Sequence, residues 1–437
     1  MRDLILVLFL FCAIYYSFKK PYLGVSAWIW VALTAPTVWV YGFSQHFRIN
    51  LTIVLITIVS YIVVTKNKTF PFGSIGVFVL LFWLWTLLAS IFNQVINVDD
   101  VWFNFNQFTK VLALYLFVTF TISKRIHVDT FIWAIVLAMS SYAAMEAVKF
   151  LMSGGGHKIV GRAGIIADRN DLAVAINMCI PFIAYLWNVT KHKKLKLGLV
   201  ILIVLNVVSI IGTYSRGGFI GLSILGIAFW LQSNRKMLLL MFALMLLPVL
   251  YINAPADWKE RQTTISTASS EDSSFIGRLW AWKVSTMIAI DNPITGGGFK
   301  AVTDPILWRV YGQLTPDFGP VYTKPMDINQ RPKAAHNIYF QVLGDNGFIG
   351  LLIFLSLLFT AFFTNRKNLK LAKEHGEVWC EKLCSAISLS FVAYGITGLN
   401  VSLAYFELLY ALMGIVLVIK FNMLYKGDAD TLKLKNN

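Results

Sequence analysis

Mostly apolar runs of about 16 to 23 residues recur from one end of this chain to the other, near the ~20 residues with which a helix crosses a bilayer. Only a structure that bonds its own backbone groups survives in lipid, so such runs predict helices rather than loops or open sheets. Hydrophobic residues make up 57% of the 437 and charged residues 14%, and the mean hydropathy is +0.66, too apolar for a soluble fold of this length. The expected fold class is an all-α polytopic membrane protein. Candidate spans cover 4–18, 24–43, 50–65, 73–92, 108–123, 128–150, 171–190, 196–213, 217–232, 237–253, 345–364, 383–399 and 402–424. This predicts a bundle over 1–253, one large polar loop over 254–335 carrying short helices, further spans over 336–425, and a polar tail over 426–437. The first run is read as retained: no small-residue cleavage site follows it, and Lys19-Lys20-Pro21 leads into another span.

The net charge of +16 would suggest a nucleic-acid partner in a soluble protein. Here much of the basic excess sits in short loops: Lys66-Asn67-Lys68, Ser123-Lys124-Arg125, 191–196, Asn234-Arg235-Lys236 and 365–382. These are every second loop, the alternation that the positive-inside rule produces. The charge therefore reports orientation, and no nucleic acid is expected. Loops 93–107, 151–170, 214–218 and 254–335 then face outward, and the tail faces the cytoplasm. With Lys19-Lys20 inside, Met1 lies outside and thirteen spans result; twelve follow if the first run is only partly inserted. Cys12, Cys179, Cys380 and Cys384 lie in or beside spans, so neither a disulfide framework nor a zinc site is indicated.

Basic residues on the outward side run against this bias and call for an anionic ligand. The loop Gly161-Arg162-Ala163-Gly164-Ile165-Ile166-Ala167-Asp168-Arg169-Asn170-Asp171 leads into a span with Asp168, Asn170 or Asp171 available as N-cap. Free N–H groups at a helix N-terminus beside a guanidinium form an anion site. Tyr214-Ser215-Arg216-Gly217-Gly218 joins two apolar runs, which places Arg216 at an interface or in a cavity, while two glycines allow close backbone approach. In the long loop, apolar positions 275, 279, 282 and 286/287 predict an amphipathic helix ending before Asn292-Pro293 and Gly296-Gly297-Gly298. By composition alone Arg278 on that helix reads as an ordinary interfacial charge. No Lys-Ser/Thr follows the glycines, so a nucleotide loop is not supported. His336, in Ala335-His336-Asn337-Ile338-Tyr339, stands where the loop meets an apolar helix, and a buried setting there would keep the imidazole neutral. No histidine pairs with another at metal-site spacing. Lys110 is a further candidate for the anion site, while Glu146, Lys149 and Glu407 are expected to snorkel at span ends.

The Thr213-Tyr214-Ser215-Arg216-Gly217 turn, the block from Arg278-Leu279-Trp280-Ala281-Trp282 through Pro293 to Gly296-Gly297-Gly298, and Ala335-His336-Asn337-Ile338-Tyr339 before Gly347-Phe348-Ile349-Gly350 together resemble the O-antigen ligase and O-antigen polymerase superfamily. The resemblance covers roughly residues 160 to 425. Met1-Arg2-Asp3 and Lys19-Lys20-Pro21-Tyr22-Leu23-Gly24 resemble its O-glycosylation ligase subgroup. The resemblance implies an inner-membrane glycosyltransferase with its active site facing the periplasm, moving a glycan en bloc from undecaprenyl diphosphate to a hydroxyl of lipid A-core or protein. It implies no cofactor and no metal. Arg216 and Arg278 match family arginines expected to hold the diphosphate, Arg162 and Arg169 match less tightly, and His336 matches the histidine expected to act as acceptor-activating base. A repeat-unit polymerase is the nearest alternative. A lipid-linked glycan transporter would need the arginines but not the base, and should show duplicated spans, which the sequence lacks.

Overall fold

The computed structural model describes residues 2–66, 68, 70–162, 164–233, 236–237, 241, 273–327 and 329–424. Most of candidate span 237–253, loop residues 254–272, Asn234 and Arg235, and the 426–437 tail lie outside the described residues. Among the described residues every regular element is helical. In chain order these are α1 (Arg2–Lys19), α2 (Pro21–Thr34), α3 (Ile49–Val64), α4 (Gly73–Ile91), α5 (Val98–Thr121), α6 (Arg125–Met152), α7 (Arg169–Val189), α8 (Lys193–Gly212) and α9 (Arg216–Gln232). After residues 242–272 come α10 (Ser273–Asp291), α11 (Pro305–Gly312), α12 (Ile338–Glu374), α13 (Val378–Thr397) and α14 (Glu407–Val418). Among the described residues seven segments are long and apolar enough to cross a membrane: α4, α6, α7, α8, α12, Val378–Asn400 and Glu407–Leu424. The chain is an all-α polytopic membrane protein.

Helix limits differ from the hydropathy reading where local chemistry intervenes. Helix α2 stops at Thr34 because Ala35 turns left-handed (φ 43°) and Pro36 follows. Helix α5 begins ten residues before its candidate span, at Val98, since Asp99 and Asp100 suit the positive end of a helix. Helix α12 begins at Ile338 but is broken at Gly347 (φ 68°, ψ −171°), a conformation that essentially only glycine adopts.

Helix α7 packs most extensively against α13, α2 against α6, α12 against α4 and α13, and α14 against α5. The core is dense where small residues meet: a Cβ on Gly221 of α9 would lie 2.3 Å from Thr397 Cγ2 of α13. At one end of the bundle Tyr22 stacks on His127 at 3.9 Å, beside Lys20 and Lys124. At the other end, the start of α1 meets the 161–168 loop: Arg2 lies over the Tyr41 ring and Arg162 hydrogen-bonds the Tyr41 hydroxyl. The N-terminus thus lies opposite Lys19-Lys20, on the side of the arginine-bearing loops.

Two devices hold the described part of the long loop, 273–335, at this second end. Lys283 of α10 is 8% exposed and donates to the carbonyls of Thr315 and Val321, both at 2.6 Å, and to Thr323 Oγ1 at 3.3 Å. The Pro293–Gly298 turn docks on the α12 break through backbone alone: Gly297 N donates to Gly344 O, Gly298 N to Asp345 O and Phe348 N to Pro293 O, at 2.9 to 3.0 Å. A Cβ on Gly296 would meet Gly347 N at 2.4 Å, so this approach requires glycine.

Candidate active site

Two helix N-termini meet at the loop end of the bundle. Asp168 caps α7, accepting from Asn170 N at 2.7 Å, and Ser215 caps α9, accepting from Gly218 N at 3.1 Å. Ser215 Oγ in turn donates to Asn170 Oδ1 at 2.7 Å, tying the two ends together. The first residue of each helix is an arginine, Arg169 and Arg216. Guanidinium groups and the positive ends of two helix dipoles therefore share one place. From within the bundle, Asn177 Nδ2 donates to the carbonyls of Ala173 and Gly218, both at 2.9 Å, and braces the arrangement.

Arg278 reaches the same place from α10. Its Nη1 donates to Asn400 Oδ1 at 2.9 Å, and Asn400 packs so closely on Gly217 that a Cβ there would lie 2.8 Å from Asn400 Cβ. One asparagine thus links the Arg216 turn to Arg278. Lys333 stands alongside, its Cδ 2.6 Å from where a Gly277 Cβ would be.

His336 precedes the α12 N-cap, Asn337, whose side chain accepts from Tyr339 N and Phe340 N. The histidine backbone is left-handed (φ 44°), a strained position for a residue with a side chain. It is held by three contacts. His336 N donates to Ser402 Oγ at 3.0 Å, Trp282 Nε1 donates to Ala335 O at 2.7 Å, and Trp282 stacks on Phe340 with ring centroids 5.2 Å apart. Its Nδ1 is buried with no hydrogen-bond partner. Burial, then the charges of Arg278 and Lys333, hold the imidazole below the usual histidine value, while Asp168 acts in the opposite sense. A neutral imidazole results beside a cationic cluster.

The structure therefore brings together Arg169, Arg216, Arg278 and His336. Arg162 sits apart: its Nη2 donates to Tyr41 Oη at 2.8 Å and its guanidinium lies 4.6 Å from the Trp39 ring. Lys110 is also elsewhere, bonded to Gln107 Oε1 at 3.3 Å on the wall of a cavity of about 540 Å³. That cavity also includes Ser402, the residue that holds the His336 backbone, together with Gln341, Asp345, Tyr405 and Glu407. Asn400, Ser402 and Lys333 are site residues that sequence reasoning missed. The only signal was a polar pair, Asn400 and Ser402, in the short gap between two apolar runs. Glu146 does not snorkel; it is 6% exposed and pairs with Lys149 at 2.6 Å and His157 at 2.7 Å.

Fold and site together define a multi-pass membrane protein with a cationic, histidine-bearing centre at one end of its helices. Residues 199–355 match the family described as O-antigen ligase, which supports the resemblance to the O-antigen ligase superfamily. Arg216, Arg278 and His336 all lie inside the match. Residues 1–193, with Arg162 and Arg169, match a family of unknown function. No curated protein matches the chain. The match over 199–355 supports a membrane glycosyltransferase of the O-antigen ligase or polymerase type.

Proposed function

We propose that this protein is a ligase of the inner membrane. It would move a glycan en bloc from undecaprenyl diphosphate to an acceptor hydroxyl, of lipid A-core or of a protein, on the periplasmic face. The observation that carries the reading is the placement of His336, kept neutral by burial and by Arg278, beside the paired helix ends headed by Arg169 and Arg216. A diphosphate departs readily once its charge is neutralised, and guanidinium groups grip it bidentately without reorganising as charge develops. Arg216, Arg278 and Arg169 form that clamp in this reading, with Arg162 outside it.

His336 takes the proton of the acceptor hydroxyl as its oxygen bonds to the anomeric carbon. The bond from that carbon to the diphosphate breaks, and the electron pair leaves on the diphosphate oxygen facing the arginines. A single displacement of this kind inverts the anomeric centre, and the donor's phosphoester linkage supplies the driving force. General-base help of this type contributes on the order of 10²–10⁴-fold. A transporter of lipid-linked glycan has no use for a neutral base at this position.

Deleting the gene in its host and analysing glycoconjugates tests the reading. Loss of long-chain lipopolysaccharide or of a glycoprotein, with accumulation of the polyprenyl-linked glycan, is expected. Shortened polymer that is still attached to its acceptor would assign the protein to repeat-unit polymerisation instead.

A further inference from the structure

The N-terminal half gathers two guanidinium groups around one phenol ring. Arg162 Nη2 donates to Tyr41 Oη at 2.8 Å, and the Arg2 guanidinium lies 5.5 Å from the centroid of the same ring, its Nη1 3.4 Å from Trp39 O. Among the described residues no ion pair joins either arginine to a carboxylate. Asp3, adjacent in sequence, is engaged by Ser44, accepting from its Oγ at 2.6 Å and its N at 3.2 Å. Like charges repel at this range, and an anion between them removes the repulsion.

The arginines stand at one end of a groove of about 740 Å³ between α1, α2 and α6. Away from them its walls are apolar, formed by Ile5, Phe9, Trp30, Leu33, Met139 and Met145. Lys149 adds a third cation at its polar side, shared with Glu146. The groove opens beside the outer face of α1, where Leu4, Ile5, Leu8 and Phe11 are 65–67% exposed, the face that acyl chains cover in a bilayer. All of these residues lie within 1–193, outside the O-antigen ligase match.

We propose that this groove is a binding site for an anionic glycerophospholipid, with an acyl chain along the apolar wall and the phosphate between Arg2 and Arg162. An apolar cleft with a few convergent cations at one end is the form of site that an amphiphile of this charge fits. The proposal also gives a role to Arg162, which is engaged by Tyr41 and Trp39.

Native mass spectrometry of the purified full chain, titrated with dioleoylphosphatidylglycerol or dioleoylphosphatidylcholine, tests it. The expected result is about tenfold or greater preference for phosphatidylglycerol, a 1.4 kcal/mol difference, lost in Arg2→Gln/Arg162→Gln. Ile5→Trp, at an exposed wall position, narrows the groove and is expected to weaken binding with both arginines present. Circular dichroism checks that the variants keep their helices. Equal binding of the two lipids, or a preference that survives the double variant, overturns the proposal. Displacement of phosphatidylglycerol by equimolar undecaprenyl phosphate overturns it too, and would assign the groove to the carrier lipid.

Discussion

Ser215 Oγ donates to Asn170 Oδ1 at 2.7 Å, so the caps of α7 and α9 are one hydrogen-bonded unit and the arginines that follow them are positioned together. A displacement of one helix end is therefore transmitted to the other. Five outcomes follow from this geometry and its neighbours.

His336→Ala is expected to reduce glycan transfer by about 10²–10⁴-fold while the protein accumulates in the membrane at its normal level. Transfer onto the acceptor is read by gel analysis of the complemented deletion strain, and protein level by immunoblot. Wild-type transfer in the variant would remove the base assignment.

The lowered His336 value fixes a pH dependence. The base acts in its neutral form, so the acidic limb of kcat/KM is expected below ~6.5, the unperturbed histidine value. Arg278→Gln removes a cation that depresses it and should move the limb upward; Lys333→Gln should move it the same way by less. The folded chain binds fewer protons here than the unfolded chain. Its contribution to stability is therefore complete above ~6.5 and is lost as pH falls toward the folded value. A limb that stays fixed in both variants would contradict the assignment.

Arg216→Lys is expected to lose at least ~10-fold in activity, because an ammonium cannot reproduce a bidentate grip on a diphosphate. Steady-state kinetics with a polyprenyl-diphosphate-linked glycan measures it. An equally active lysine variant would make Arg216 a helix anchor.

Gly217→Ala places a methyl group 2.8 Å from Asn400 Cβ and must displace the residue that binds Arg278. Overpacking of this kind costs about 1–3 kcal/mol. Activity should fall further than thermal stability, and Asn400→Ala should lower activity in the same way. Unchanged kinetics in both would separate Arg278 from the site.

Lys283→Met takes from the Val321 carbonyl its lysine donor and leaves the Thr315 carbonyl only Thr323 Oγ1, at about 1–3 kcal/mol for a lost partner. Limited proteolysis should cut near 313–324 at least several-fold faster than in the wild type. Identical digestion would mean the loop is held elsewhere.

Arg216 and His336 stand out in the chain because each interrupts an apolar pattern at a junction where a polar residue is costly, whereas Arg278 became a candidate only through the family resemblance. Their partners do not stand out. Asn400 and Ser402 gain their roles only when the chain returns 122 residues after Arg278 and 66 after His336. Arg162 and Arg169 are seven residues apart, yet Arg162 is bonded to Tyr41 while Arg169 heads α7. A Cβ on Gly161 would lie 1.6 Å from Ile166 O, so the segment doubles back on itself, and linear proximity is lost. The spans followed from hydropathy, while their ends followed local rules such as the Pro36 stop and the Gly347 break.

The docking of Pro293–Gly298 onto the α12 break uses amide and carbonyl groups rather than side chains. Its register is therefore indifferent to most of the residues displayed around it, provided the glycines at 296 and 347 remain. The segment 273–335 can change at its rim while His336 and Arg278 keep their places. Substitutions at the periphery are thus compatible with an unchanged placement of these two residues.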